Sequence, residues 1–370
     1  MQLSIVRRST AVLVVGALLL AACSAAAPTR APTAAPPAVT PAPVVTPAPV
    51  VTPAPVVTPA PPAITNSKDF WIGFTSVGLS SAPFLAAIAD LNANHGYDIK
   101  TPILAQSELV AEGVAQGQFA FGSGANNAVL AAIEQGANIK VVVDRVANEW
   151  TLYAPTEVTE CAGLAGLRLA LHSDGAVSTA MVRNYINVNC AGTTPQEIFI
   201  EGSPNRVAAL LADQIDASPL ELGDSITIDN EAGDRYHLLS SFSADLPDLK
   251  TTSIYVNGDW AALNPQSVTD VVRAVIQQFR LVSADAAYLR TVAEEQVPDA
   301  INPDTIDQAA ARYVDLGMFD VNGGVTEEGL NYTADFFGPE GTGTVDKVFA
   351  LEEWADLSFL NTVLDELGRQ

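Results

Sequence analysis

Between Trp71 and Ala212 the apolar positions of the chain switch period repeatedly. WIGFTS (71–76) alternates as a strand does, VGLSSAP (77–83) breaks the alternation, and PFLAAIADLNANHG (83–96) spaces its apolar residues three and four apart before stopping at Gly96. Pro83 suits the first turn of that helix, where a missing N–H costs nothing. The unit returns three times. FAFG leads through SGANN into a helix ending at Gly136, LRLALH (167–172) leads through SDGAVST into the helix around AMVRNYINV, and EIFIEG (197–202) leads through Ser203-Pro204 into RVAALLAD. IKVVV (139–143) is a further strand. Strand, small polar loop, helix and strand in this order predicts an α/β fold with parallel-rich sheets.

Two features of the pattern divide the chain. VAQGQFAFGSG (114–124) aligns with LLADQIDASPL (210–220), each a helix end, a Gln, a short strand and a turn residue, which predicts two lobes of similar build. WTLYAP (150–155) and TTSIYVNGDW (251–260) flank the second lobe as paired β-rich crossovers. After Asn264-Pro265 the spacing is mostly helical, and these helices are expected to pack back on the first lobe. The expected domains are a discontinuous first lobe, 67–149 with 259–370, and a second lobe, 150–258, with a crossover strand at each end.

Each strand-loop-helix unit leaves the first N–H groups of its helix free at the carboxyl edge of a sheet, where open α/β sheets bind ligands. Gly122 and Gly124 would let the backbone come close to a solute, and Ser123, Asn126, Asn127, Ser173, Ser178 and Thr179 offer hydrogen-bonding side chains. Small polar residues also cap helices in any α/β protein, so a structural role stands open for each of them.

The first 66 residues are of another kind. MQLSIVRRSTAVLVVGALLLAACS carries Arg7 and Arg8, an apolar run from Ala11 to Ala22, and Leu20-Ala21-Ala22-Cys23. That run falls short of the roughly 18 to 20 residues of a permanent membrane helix and reads as an export signal (1–22) closing in a lipobox, with Cys23 lipidated. Residues 24–66 contain no acidic side chain but thirteen of the chain's 24 prolines, and VVTPAP occurs three times between 44 and 61. With Cys23 they form an expected stalk (23–66), a polyproline II spacer rising about 3.1 Å per residue. The folded part is thus expected to be tethered outside the cell membrane. All 42 acidic side chains lie in 67–370 against 15 basic ones, a net charge of −27, which makes nucleic acid and anionic lipid poor partners. Cys161 and Cys190 are expected to form a disulfide in this exported part, and no nearby histidine pair favours zinc.

The order of APFLAAIADLNANHGYDI, ELVAEGVAQGQFAFGSGANNAVLAAIEQGANIKVVV, GLAGLRLALHSDGAVSTAMVRNYI and RVAALLADQIDAS resembles the ABC-importer solute-binding proteins for nitrate, sulfonates and taurine, thiamine pyrimidine precursors and riboflavin. The resemblance runs from about Trp71 to Leu281 and departs from the family at GLAGLRLAL, where an Asp-Leu-Lys-Gly-Lys run is common. It implies a two-lobed type II periplasmic-binding fold with a ligand cleft between the lobes. By the same resemblance, Gly78–Pro83, Ser123–Asn126 and Asn148–Trp150 line the first lobe's wall, and His172–Thr179, Gly202–Pro204 and Ser218–Glu221 the second's. The candidate ligand set is Ser80, Ser81, Ser123, Gly124, Asn126, Trp150, Tyr153, Ser173, Ser178, Thr179 and Glu221. The implied partners are a small solute and an ABC permease with its ATPase, the chain acting as a monomer.

Lysine is absent from 141–249, and Arg145 and Arg206 are the cations near these loops. Trp71, Phe74, Phe84, Phe121, Trp150 and Tyr153 fall near the same cleft, which favours a planar heterocycle stacked on Trp150 or Tyr153. Glu149 and Glu221 would accept from its N–H groups or stand as solvated rim charges. A vitamin-type solute, riboflavin ahead of a thiamine pyrimidine, is therefore expected, with a sulfonate, taurine or nitrate-type anion as the alternative. A remote third reading is a dinucleotide-dependent enzyme, from Gly122-Ser123-Gly124 and Asp144, but Asn127 replaces the third small residue of that fingerprint. With only His95, His172 and His237 and no G-x-S-x-G elbow, no catalytic residues, cofactor or metal are expected.

Overall fold

The computed structural model describes residues 63–370; the expected signal, Cys23 and the stalk through residue 62 lie outside the described residues. The first half runs β1 (Asp69–Phe74), α1 (Ala82–Asn94), β2 (Asp98–Lys100), α2 (Ser107–Ala115), β3 (Phe121–Ala125), α3 (Asn126–Glu134), β4 (Ile139–Val146) and β5 (Thr151–Pro155). Next come β6 (Arg168–Leu171), α4 (Val177–Asn189), β7 (Gln196–Phe199), α5 (Ser203–Leu211), β8 (Ser218–Leu220), α6 (Leu222–Ala232) and β9 (Tyr236–Ser241). A helical turn α7 (Phe242–Asp245) precedes β10 (Thr252–Asn257), and the remainder is helical: α8 (Gly258–Leu263), α9 (Pro265–Ala284), α10 (Ala286–Gln296), α11 (Ile306–Asp315), α12 (Glu327–Phe337), α13 (Leu351–Trp354) and α14 (Ser358–Leu367). Pro83 and Pro204 sit in the first turns of α1 and α5, as their missing N–H groups require.

The strands form one five-stranded sheet in the order β2-β1-β3-β10-β4 and two smaller ones, β8-β5-β9 and β6-β7. A bridge between Leu169 and Ala217 joins the smaller pair, so the second lobe reads β7-β6-β8-β5-β9. The two lobes thus share one order, parallel except for the fourth strand, and that strand is exchanged. β5 leaves β4 and enters the second lobe's sheet, while β10 leaves the second lobe and lies antiparallel between β3 and β4. The strand expected at the end of the second lobe therefore belongs to the first sheet, and the Gly258-Asp259-Trp260 assigned to it opens α8, with the Asn257 side chain accepting from Trp260 N.

The internal echo has a backbone cause. Gly117 (φ 70°) and Asp213 (φ 54°) both turn left-handed at corresponding positions before β3 and β8. Cys161 and Cys190 are disulfide-bonded with Cα atoms 5.8 Å apart, tying the segment before β6 to the end of α4. The first lobe's core is closed by α9, whose stripe Val268, Val271, Val272, Val275, Ile276 and Phe279 is buried.

Gly122 and Gly124 answer to packing. A Cβ on Gly122 would stand 2.3 Å from the Tyr255 ring, and one on Gly124 2.9 Å from Thr75 Cγ2 and 3.4 Å from the Tyr255 hydroxyl. The two glycines open a bed for the fully buried Tyr255 in place of an approach path for a solute. Gly122→Ala is expected to cost about 1–3 kcal/mol of unfolding free energy by overpacking. Urea denaturation should show that loss shrinking in the background Tyr255→Ser; an equal loss in both backgrounds contradicts this origin.

Candidate functional site

The carboxyl ends of the two sheets face each other, and the lobes meet along two rims. On one rim His172 Nε2 lies 2.7 Å from the carbonyl of Ala105, Glu108 accepts from Gly175 N at 2.8 Å, and Asn127 Nδ2 donates to the carbonyl of Gly175 at 2.7 Å. On the other, Thr227 and Thr305 share a hydrogen bond of 3.1 Å and Asn230 donates to Gln308. Between the rims lies a buried layer of polar side chains from both lobes, the polar chamber.

Arg145 is its principal cation. In the β4–β10 register Ser253 faces Asp144 and Thr252 faces Val146, so Arg145 is the extra residue of a bulge, a device that re-aims a side chain. It is 3% exposed, and its Nε and one terminal nitrogen have no hydrogen-bond partner in the protein. Its charge acts on Glu149 where the chain leaves the first lobe and on Glu221 at the head of α6, yet no ion pair answers it among the described residues. Arg206 enters from α5 of the second lobe, donates to the carbonyls of Pro219 (3.0 Å) and Ile200 (3.1 Å), and lies 5.9 Å from the Trp150 ring centroid. One of its terminal nitrogens is also without a partner. Burial pulls its pKa down to about 10, so it stays charged at neutral pH.

Further polar atoms are buried without protein partners: the hydroxyls of Ser123, Ser178, Thr251, Thr252 and Tyr255, the indole N–H of Trp150, and the Oδ1 atoms of Asn126 and Asn127. Buried polar groups are ordinarily satisfied, and so many orphans on these loops is the mark of a binding site. Charged donors, hydroxyls and an indole N–H outnumber the acceptors. The acceptor side is Glu149, which takes the Tyr313 hydroxyl on Oε2, together with Glu221. Burial first, then the Glu221 charge, pushes Glu149 up to about 8. Burial also raises Glu221, against the pull of Arg145 and Arg206.

Of the candidate ligand residues, Ser123, Asn126, Trp150, Ser178 and Glu221 stand buried on the facing loops, Ser80 is buried beside Glu149, and Ser173 reaches across to Glu108 at 3.3 Å. Others serve the fold. Ser81 closes its own turn on Gly78, Thr179 donates to the carbonyl of Ser173, and Gly124 packs on Thr75. Tyr153 packs with Ala170, Leu210 and Ile228 in the second lobe's core and donates to Asp229, which removes it as a stacking partner. Phe74, Phe84 and Phe121 are fully buried in the first lobe's core, and Trp71 is 46% exposed on β1. The expected aromatic cluster therefore reduces to Trp150. Glu149, placed as an alternative rim charge, is instead 1% exposed. Tyr313, Tyr255, Thr251 and Thr252 were not anticipated; the signal for Arg145 was a charged pair, Asp144-Arg145, inside an apolar strand.

His172 links the surroundings of Arg206 to the rim. Its Nδ1 accepts from Gly202 N (3.1 Å), which leaves Nε2 as the donor to Ala105 and the ring neutral. Burial and the Arg206 charge depress its pKa. A depressed histidine gives stability that is whole above its unfolded value and lost as pH falls below it, by at most about 1.4 kcal/mol per unit. Urea midpoints are expected to fall more steeply below about pH 6.5 in the native protein than in His172→Gln; parallel slopes contradict the neutral ring.

Three comparisons place the chain. The family described as NMT1/THI5 like matches residues 93–284, just over half of it. No curated protein sequence matches. Among solved structures, it is similar to the ligand binding component of an ABC-type import system from Staphylococcus aureus with zinc bound, at TM-score 0.64 and 12% identity over 80% of this chain and 98% of that one. The periplasmic nitrate-binding protein NrtA from Synechocystis PCC 6803 gives TM-score 0.64 and 11% identity over 83% and 90%. The alkanesulfonate-binding protein SsuA from Xanthomonas axonopodis pv. citri bound to MOPS gives 0.62 and 15% over 79% and 100%. Among the described residues no group of His, Cys, Asp and Glu is placed to hold a metal ion, and no helix is long and apolar enough to cross a membrane. The matched segment runs from the end of α1 to the end of α9 and takes in the facing loops of both lobes apart from the one at 78–83: the chain belongs to the NMT1/THI5-like family and has the two-lobed periplasmic-binding fold.

Proposed function

We propose that the chain is the solute-capturing component of an ABC importer, closing two lobes around a small oxyanion of the sulfonate or nitrate kind. The observation that carries this reading is Arg145, a buried guanidinium aimed by a bulge, with two donor nitrogens that no protein atom takes up. A charged donor of this kind satisfies an oxyanion with short charge-assisted bonds. Arg206 and the Trp150 indole add donors from the second lobe and the first crossover. The reading also agrees with the family and with structural neighbours named for nitrate and alkanesulfonate. A stacked heterocycle keeps only Trp150 of its six aromatics, which moves the preference from riboflavin to the anion.

In this reading the first lobe is 67–149 with the sheet strand at 252–257 and the helices after it, and the second lies between. Capture breaks no bond. Lipidation of Cys23 and the stalk would hold the chain outside the membrane beside its permease, with the protein as a monomer.

Calorimetric titration with nitrate, methanesulfonate and taurine tests the reading. At least one anion should bind, and Arg145→Met should weaken it by about ten- to a hundredfold, the worth of a hydrogen bond to a charged group. Riboflavin fluorescence should not change on adding the protein. Saturable riboflavin quenching indifferent to Arg145→Met contradicts the anion reading.

A further inference from the structure

Lobe closure brings two carboxyl groups into one buried place. Glu149 comes from the first crossover and Glu221 from the second lobe, and both are buried. Glu221 Oε2 sits 3.0 Å from the position of a Cβ on Gly78, so the first lobe's loop meets it closely only because residue 78 is glycine. Tyr313 on α11 donates to Oε2 of Glu149. The other oxygen, Oε1, is buried with no partner in the protein.

The groups facing Glu149 are Arg145 from β4, Glu221 from the head of α6, Tyr313 from α11 and Ser80 from the loop before α1. Asp224 of α6 adds its charge near Tyr313 and is itself set against Glu221 and Arg206. Arg145 is the cation that favours the ionised form of Glu149. An anion seated on that guanidinium offsets its charge and leaves Glu149 and Glu221 confronting one another in a low-dielectric site, where two like charges are not both kept. The oxygen positioned to take a proton is Oε1, because Oε2 already accepts from Tyr313.

We propose that capture of an anion takes up one proton from solvent, held on Oε1 of Glu149, and that the neutral acid then donates a hydrogen bond into the chamber as a specificity-determining group. This rests on the anion-receptor reading. Only an O–H bond forms, with solvent as the proton source. Such a site favours ligands that present bare oxygen acceptors toward Glu149. Enclosure holds Glu149 at about 8, against an ordinary value near 4.5 for a carboxyl that meets water, so the proton is taken up as the open protein closes on its anion. A group raised in the bound, closed state takes up its proton between those two values, so affinity falls as pH rises through that window and is greatest on its acid side.

The test is calorimetric titration of the protein with sodium methanesulfonate and with sodium nitrate from pH 6 to 8, in Bis-Tris and in Tris, which are not oxyanions and whose ionisation heats differ. Up to one proton taken up per anion is expected, with the dissociation constant rising by up to about tenfold per pH unit. Glu149→Gln, which keeps a donor and the shape but cannot titrate, should lose the pH slope of the dissociation constant and the buffer-dependent heat. Anion binding with no buffer-dependent heat, or the same slope in Glu149→Gln, overturns the proposal. A second arm reads melting: saturating methanesulfonate should raise the melting temperature of the native protein more at pH 6 than at pH 8, and that of Glu149→Gln equally at both. An equal rise at both pH values in the native protein overturns the proton uptake. No heat and no melting shift from any anion overturns the receptor reading itself.

Discussion

A guanidinium taken out of water without a counter-charge costs several kcal/mol, and proteins keep such a group where a ligand or partner answers it. Arg145 is in that position, and much of the first lobe is arranged to hold it there. β10 crosses between β3 and β4, the ladder slips by one residue between Thr252 and Ser253, and the slip presents Arg145 while Asp144 turns to Ser253 and Lys250. The glycines of β3 make room for Tyr255, which packs that same crossing strand against its neighbour. An apparent ligand motif in β3 is thus the support for the buried, unpartnered guanidinium of β4.

The exchanged strands explain how the lobes can close and still remain one fold. Each crossover ends as a full member of the sheet it enters, so the links between lobes are the short stretches after β4 and before β10. The rims outside the chamber are joined by hydrogen bonds from side chains to loop carbonyls on one side and between side chains on the other. Such contacts form and release at small net free energy, about 0.5–1.5 kcal/mol each. A ligand with a modest preference for the closed state then shifts the population toward it.

The repeat of strand, loop and helix was legible because its cause is local: apolar period, Pro at a first turn, and a left-handed residue before β3 and β8. The two-lobed arrangement followed from the same pattern and from order within the family. Chemistry at the chamber was half legible. Ser123, Asn126, Ser178 and Glu221, named from helix mouths, and Trp150, named from the crossover, are buried on the facing loops, because both kinds of signal are sequence-local. Gly124 and Tyr153 were misplaced because their neighbours, Thr75 and the α5–α6 core, are distant in sequence or hidden by the pleat. Tyr313 escaped for the same reason, coming 164 residues after the carboxyl it meets. The preferred solute class turned on burial: of six aromatics near a cleft in sequence only Trp150 stands with the buried polar groups, whereas the two arginines named near the loops are both buried.

The most direct measurement is a crystal structure of the protein grown with a saturating oxyanion such as methanesulfonate. The account predicts the anion's oxygens on the Nε and terminal nitrogens of Arg145, within the closed cleft and beside Glu149. An anion confined to the outer surface, with Arg145 paired to a carboxylate of the protein itself, would contradict it.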